Sequence, residues 1–538
     1  MIRRLFWCFV GVAVLDCAWT SARCVVVRIS EEADSGFTSC GIVAEAVEET
    51  TEVAFVCPDA GSVGSCTRAS LIGLNWTLLP RVAKPLGMES VRDWSGDVVV
   101  EAPSDVNDVG MSERGFRRVA TNGLSALYRR LDGRAEPEVP VGVSHEPTRL
   151  TFGASVSVTL IIVTLIGLWI CYGGVKSVGW WKLSCSLGIL AVLLAVALPG
   201  GLNAPNGLGV YGGKAKLICL LKGLPDGFWT APEYAVFQPS YPPLMTLVAS
   251  LSFAIGGVSD RALQLFVPAV IALLFLELTR FAPLNGKRCW LVMLIVSLLL
   301  LSPEMINLAR GFYAEPLAML FIACGWNALL DGKPRHGWCA LGLSALVRPE
   351  GLLIAGISWL VWTSFVSGWR SGKTIVMSAA LALSPGAIWQ LAMRFLGARL
   401  YDYDLLHFPG FQCFADACAQ LVRSLVGDFA VNGGVFIFSA LLVVLSVFDM
   451  SDENIGASFR CFVAAVIVTV LSLLAGAMLI SFSTCPDREW LYEMTLPRYA
   501  LLCVLPMMLV GVAVCGHRWS DERICKSTRV ERRLLQDQ

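Results

Sequence analysis

The segment SALVRPEGLLIAG, residues 344–356, decides how this chain is read. It lies inside a long apolar run, yet it carries Arg348, Pro349, Glu350 and Gly351 in succession. Proline stops a helix and glycine relaxes a bend. The four residues therefore predict a turn between two apolar helices, 338–348 and 351–367. A charge at the centre of a bilayer costs about 2.5–3.5 kcal/mol on insertion scales, so the turn is expected at a membrane boundary. Two readings of it stay open. It is a salt-bridged turn, or it is an anion site, for which the paired N–H donors of arginine are suited.

The rest of the chain supplies the context for that turn. Of its 538 residues 55% are hydrophobic and 16% charged, with a mean hydropathy of +0.65. A soluble protein of this size is less apolar, so the expectation is an all-α polytopic membrane protein. Apolar segments at roughly 153–172, 181–199, 262–280, 289–303, 315–331, 338–348, 351–367, 374–395, 434–450, 460–482 and 499–516 predict about 11 transmembrane helices. Several are shorter than the ~20 residues a straight span needs, which is tolerable for helices buried among others. Formal net charge is zero, so nothing points to nucleic acid as a partner.

Charge placement orients the chain. Lys176, Lys182, Arg280, Lys287, Arg288, Lys333, Arg335, Arg370, Lys373, Arg460 and the basic tail 517–538 all reach the cytoplasmic face in one consistent threading. That threading needs residues 241–257 to lie at the outer surface without crossing. The polar loops 200–242, 303–314, 396–433 and 483–498 then face outside.

Residues 1–22 have a positive start, a short apolar core and a small-residue exit, the layout of a signal peptide or an uncleaved signal anchor. Residues 23–150 are the only substantial polar block. CVVVRIS, EVAFVC and DVVVEA within it read as short strands, so a small β-rich extracytoplasmic domain is expected. Cys24, Cys40, Cys57 and Cys66 permit disulfides there in three connectivities. The transmembrane domain occupies 151–516. No cysteine spacing resembles a zinc site.

Candidate chemistry gathers in the outer loops. In ARGFYAEPLAML, 309–320, Glu315 opens a span just after Tyr313. Such a carboxylate interacts with the helix dipole, binds a divalent cation, or serves as an acid or base. The first large loop, from Asn206, contains AKLICLLKGL, which reads as a short amphipathic helix lying on the membrane. Its acidic residues are Asp226 and Glu233, and Tyr241 opens the apolar segment that follows. In LYDYDLLHFPGFQ, 400–412, Asp402 and Asp404 share one side of an extended chain and form a weak metal site, although a solvated loop is the favoured reading.

The motifs KAK, YPPL, YAEPLA, RPEGLL and LPRYALLCVLPMM, in that order over about residues 180–516, resemble the GT-C membrane glycosyltransferases. The branch is the one with protein O-mannosyltransferases and the lipid A aminoarabinose transferase. The resemblance implies a GT-C-like fold that moves a sugar from a polyprenyl-phosphate lipid to an acceptor outside the cytoplasm. It implies an acidic catalytic position at Glu315, a turn motif at Arg348 and Glu350, an outer entry at Tyr241, and a lipid-phosphate arginine at Arg498. Arg310, in the same loop as Glu315, joins the substrate-binding set. Many members use a divalent cation, Mg or Mn, for which Glu315, Asp402 and Asp404 are the candidates.

One departure matters. Asn206 stands where the family has a catalytic Asp, and Ser240 where an acid often precedes the YP pair. Either Asp226 or Glu233 is then the base, or the chain is inactive. The rival functions are therefore an inactive lipid-binding or assembly protein on the same scaffold, and a transporter or flippase of lipid-linked glycans. The last is expected to show internal repeats and polar residues near midplane.

Overall fold

The computed structural model describes strand residues 53–56, 84–86, 97–101, 116–121 and 125–130, and then residues 180–198, 206–221, 223–225, 227–231, 234, 237–256, 260–282, 287–367, 372–398, 411–426, 455–481 and 488–515. The expected signal segment, the spans at 153–172 and 434–450, the strand at CVVVRIS, the four exported cysteines and the basic tail lie outside the described residues.

The five strands are β1 (Val53–Val56), β2 (Lys84–Leu86), β3 (Asp97–Glu101), β4 (Phe116–Thr121) and β5 (Ser125–Arg130). They pair in the order β2-β1-β3-β5-β4. β1 runs parallel to both neighbours, whereas β5 is antiparallel to β3 and β4. β1 and β3 coincide with EVAFVC and DVVVEA.

The helices are α1 (Trp180–Ala197), α2 (Gly212–Leu221), α3 (Leu244–Gly256), α4 (Asp260–Leu278), α5 (Lys287–Leu300), α6 (Pro303–Arg310), α7 (Glu315–Leu330), α8 (Pro334–Ser344), α9 (Pro349–Trp362), α10 (Gly372–Phe395), α11 (Phe411–Val426), α12 (Ile455–Ser481) and α13 (Arg488–Cys515). Those at 180–197, 349–366, 372–395 and 460–479 are long and apolar enough to cross a membrane. The α5–α6 pair, bent by 52°, passes the same test only when its two helices are counted together as one span. This fits an all-α membrane protein.

α7 is the axis of the bundle. Each of its residues is buried, as expected for a helix that is apolar all round. It packs against α4, α8 and α13. Gly325 and Gly337 let α7 and α8 approach closely, since a Cβ on Gly337 would lie 2.9 Å from Gly325 O. Small residues at such crossings are the usual means of close packing where lipid supplies no hydrophobic drive.

Local sequence explains the bends. Ser302 caps α6 by accepting from the Met305 N–H, Pro303 occupies the first turn, Glu304 follows, and Arg310 closes the helix. These are start and stop signals that suit the helix dipole. α8 ends at Ser344, and Arg348 is extended at φ −142° and ψ 143°, just before Pro349 opens α9. RPEG is thus a corner, as its composition predicted.

The end of α7 remote from Glu315 is also tied by charges. Arg280 Nη2 lies 2.5 Å from Asp331 Oδ2, and Asn327 Nδ2 donates to Glu277 Oε2 at 2.7 Å. Lys182 corrects the sequence reading. It is not a loop cation but a buried residue in the first turn of α1. Its ammonium donates to Thr279 O at 2.7 Å and Ala282 O at 3.0 Å, capping the carbonyls beyond α4.

α3 begins where the Leu244 N–H donates to Leu346 O beside the RPEG corner. α4 starts four residues beyond the end of α3, at Asp260, and runs past Phe312, whose ring is 6.1 Å from Phe266, toward Lys182.

Gly351 is the tightest element of the corner, because a Cβ there would sit 2.4 Å from Ser344 O. Gly351→Ala is expected to cost about 1–3 kcal/mol through overpacking. The check is a lowered thermal midpoint in detergent. Gly188→Ala, on an exposed face with nothing within 4 Å of the new Cβ, should leave the midpoint unchanged or raised.

Candidate functional site

The site is built where α7, α9 and α13 meet. Glu315 is the first residue of α7 and Glu350 the second of α9, with Arg348 just before it. Arg498 comes from within α13, which begins at Arg488, eleven residues before the expected span at 499–516. The wide turn Asn206–Tyr211 approaches from the fourth side. A Cβ on Gly207 would lie 2.4 Å from Gly311 O, so only glycine permits that approach. Phe312, in the corner it presses on, holds φ at +51°, a conformation that costs a non-glycine residue of order 1–3 kcal/mol.

Arg348 is the hub. Its Nε donates to Glu350 Oε2 at 3.0 Å and its Nη2 to Glu350 Oε1 at 2.7 Å, a two-bond fork. Its Nη1 donates to Glu315 Oε1 at 2.5 Å. Arg498 Nη1 reaches the same Glu315 oxygen at 3.5 Å. The Arg498 guanidinium carbon lies 5.0 Å from the centre of the Tyr313 ring, within cation–π range. Two guanidinium groups face two carboxylates here, and the Glu304 carboxylate of α6 lies within electrostatic reach of Arg498 and Glu315, the kind of pairing that burial of charge requires.

Two buried polar atoms at this site have no hydrogen-bond partner among the described residues, Glu315 Oε2 and Tyr211 OH. Tyr211 is fully buried, and its phenol lies within electrostatic reach of Arg348, Glu315, Glu350 and Arg498. Tyr241 meets its ring edge-on with centroids 6.3 Å apart.

The sequence-derived residues divide as follows. Glu315, Arg348, Glu350 and Arg498 are brought into one cluster, and Tyr241 joins through Tyr211. Arg310 is buried at the end of α6, where the same corner begins. Asp226, Glu233, Asp402 and Asp404 lie outside the described residues, as does the side chain of Asn206. Among the described residues no three His, Cys, Asp or Glu side chains gather around a common point. Both cluster carboxylates are engaged by guanidinium and only Glu315 Oε2 is uncommitted. The described part of the site therefore does not fit a divalent cation.

Sequence reasoning missed Tyr211, Lys214 and Gln238. The KAK motif was noticed, but as part of a helix lying on the membrane. α2 instead starts earlier, at Gly212, and buries its first turn against α3. Lys214 is only 4% exposed and donates to Gln238 O at 3.1 Å. Burial pushes its amine down to about 7. The Gly212-Gly213 pair before it was the available signal, since two residues without side chains permit close packing of a helix start.

Arg348→Ala would leave two buried carboxylates without their main partner, a loss of about 3–5 kcal/mol. Arg498→Ala, whose described contact to Glu315 is longer at 3.5 Å and joined by a ring interaction with Tyr313, should cost less, about 1–2 kcal/mol. Thermal unfolding of the two variants in detergent checks that order. Compared with protein-family models, with curated proteins and with solved structures, the chain matches none.

Proposed function

We propose that the chain is a GT-C-like integral membrane glycosyltransferase that takes a sugar from a polyprenyl-phosphate lipid and passes it to a lipid, glycan or protein acceptor outside the cytoplasm. In this reading the chain crosses the membrane about 11 times, residues 23–150 form a β-rich extracytoplasmic domain, and the charged cluster faces outside. The observation that supports it most is the buried cluster of Arg348, Glu350, Glu315 and Arg498, in which Glu315 Oε2 has no partner among the described residues and the buried Tyr211 phenol lies within electrostatic reach. A bundle that needed these charges only as struts would not require an uncommitted carboxylate oxygen.

The roles follow from the bonds. Each described bond of Arg348 goes to a carboxylate, so Arg348 orients Glu315 and Glu350. Arg498, whose guanidinium lies between Glu315 and the Tyr313 ring, is the candidate that the family resemblance implies for the departing lipid phosphate, whose developing charge a guanidinium stabilises. Glu315 Oε2 and the Tyr211 hydroxyl offer an acceptor and a donor to sugar hydroxyls. Proton removal from the acceptor hydroxyl falls to Asp226 or Glu233 in the adjoining loop, or to Glu315 itself. Attack by that oxygen forms the new bond at the anomeric carbon, and the old bond to phosphate breaks with its electrons leaving on the lipid.

A second reading is favoured by Asn206 and Ser240, which replace the carboxylates the family resemblance leads one to expect. On it the same site binds a lipid phosphate without transferring anything.

Native mass spectrometry of the detergent-purified chain with a panel of polyprenyl-phosphate sugars separates these. Wild type should retain one lipid, and Arg498→Gln should weaken retention about 10- to 100-fold, the worth of one charged hydrogen bond. Release of free polyprenyl phosphate on adding acceptor identifies a transferase, and retention without release a binding protein. If no lipid is retained from a panel that an active transferase does retain, both readings fail.

A further inference from the structure

The segment that carries Tyr241 to the cluster is fastened by a buried amine that has no countercharge among the described residues. Among the described residues, the one hydrogen bond of Lys214 is to the carbonyl of Gln238. α3, on which its helix packs, contains no ionisable residue. The wide turn before it offers Tyr211 and the segment itself offers Tyr241, both uncharged near neutral pH. Lys216, on its own helix, is a further cation. Gln238 is strained at φ +45° and its side-chain Oε1 is buried without a partner among the described residues, so the fastening point is the weak part of the segment. Its other ties are the Trp389 indole, which donates to Ser240 O at 3.0 Å, and the Leu244 N–H on Leu346 O at 2.9 Å. The amine is too enclosed for a ligand to touch in this arrangement, so its consequence is conformational.

We propose that Lys214 is a pH-dependent latch on residues 237–243: uncharged, it stays buried against Gln238 and holds Tyr241 beside Tyr211, and protonation releases the segment so that water can reach the ammonium. Opening exposes the polar side of the charged cluster. That this gates lipid donors rests on the transferase reading; the latch itself does not.

The sign follows from linkage. The closed form binds a proton only at about 7, the open form at the ordinary lysine value of 10.5. Between those values the open state binds more protons, so opening becomes about tenfold easier for each unit of falling pH. Below about 7 the closed form is protonated too, and the dependence flattens.

Hydrogen exchange on the full-length protein in detergent, from pH 6 to 9 and corrected for intrinsic exchange, reads this at the backbone N–H groups of Tyr241 and Leu244. Their protection should fall about tenfold per unit from pH 9 to 7 and level off below. Lys214→Met keeps the length of the side chain and removes the charge, so it should abolish the slope and hold both groups protected. Lys214→Arg, charged throughout, should leave them open at every pH. A flat wild-type profile, or an unchanged slope in Lys214→Met, overturns the latch, and the wild-type profile decides even if a variant fails to fold. Sugar transfer is not read, so either outcome leaves the transferase reading where it stood.

Discussion

The bond pattern around Arg348 is the constraint on which the rest of this end of the bundle depends. Its guanidinium takes both oxygens of Glu350 and one of Glu315, and so joins the start of α9 to the start of α7. Glu315 in turn carries Arg498 of α13. Removing such charges from water costs several kcal/mol each, and only near-complete pairing offsets it. The geometry is therefore tightly limited. α8 has to stop at Ser344, the chain has to be extended at Arg348, and Gly351 has to lie against the last turn it has just left.

A second set of charges sits at the other end of the same central helix. α7 is 16 residues long, about 24 Å at the rise of an α-helix. Glu315 stands at one end, with Asn327 and Asp331 at the other. Between them the helix is apolar and wholly buried. Arg280, Glu277 and Lys182 close the second end. Polar groups at both ends and an apolar middle are what a helix needs to sit within a bilayer without a charge at midplane. Lys182 belongs to this set because the carbonyls beyond α4 need donors, which a lysine in the first turn of a neighbouring helix can supply.

The loops of the site are held under strain. Phe312 and Gln238, the described non-glycine residues at positive φ, lie in the corner before α7 and in the segment before α3. Gly207 is pressed onto that corner, and Trp389 of α10 ties down the segment. Strained backbone persists where its surroundings over-determine it. Here the surroundings are a set of packed helices that share these two loops, so the loops are positioned as parts of the bundle.

Much of this was legible before any coordinates. The composition and the apolar segments indicated a helical membrane protein, and proline followed by glycine marked the corner at 349–351, because both residues act through local backbone geometry. Glu315, Arg348 and Glu350 could be picked out because charges in apolar surroundings are costly and thus conspicuous, whereas Arg498 was reached through the family resemblance of LPRYALLCVLPMM. What the sequence left undecided was pairing. Nothing in residues 348–350 says that Arg348 uses both oxygens of its neighbour's carboxylate and still reaches Glu315, 33 positions away. Tyr211 and Lys214 look like ordinary loop residues until α2 packs its first turn against α3. Local patterns of apolarity, charge and turn residues depend on near neighbours along the chain, and the sequence determined them. Which buried groups meet, and which are left without a partner, depends on residues far apart in the chain, and only the tertiary structure decided it.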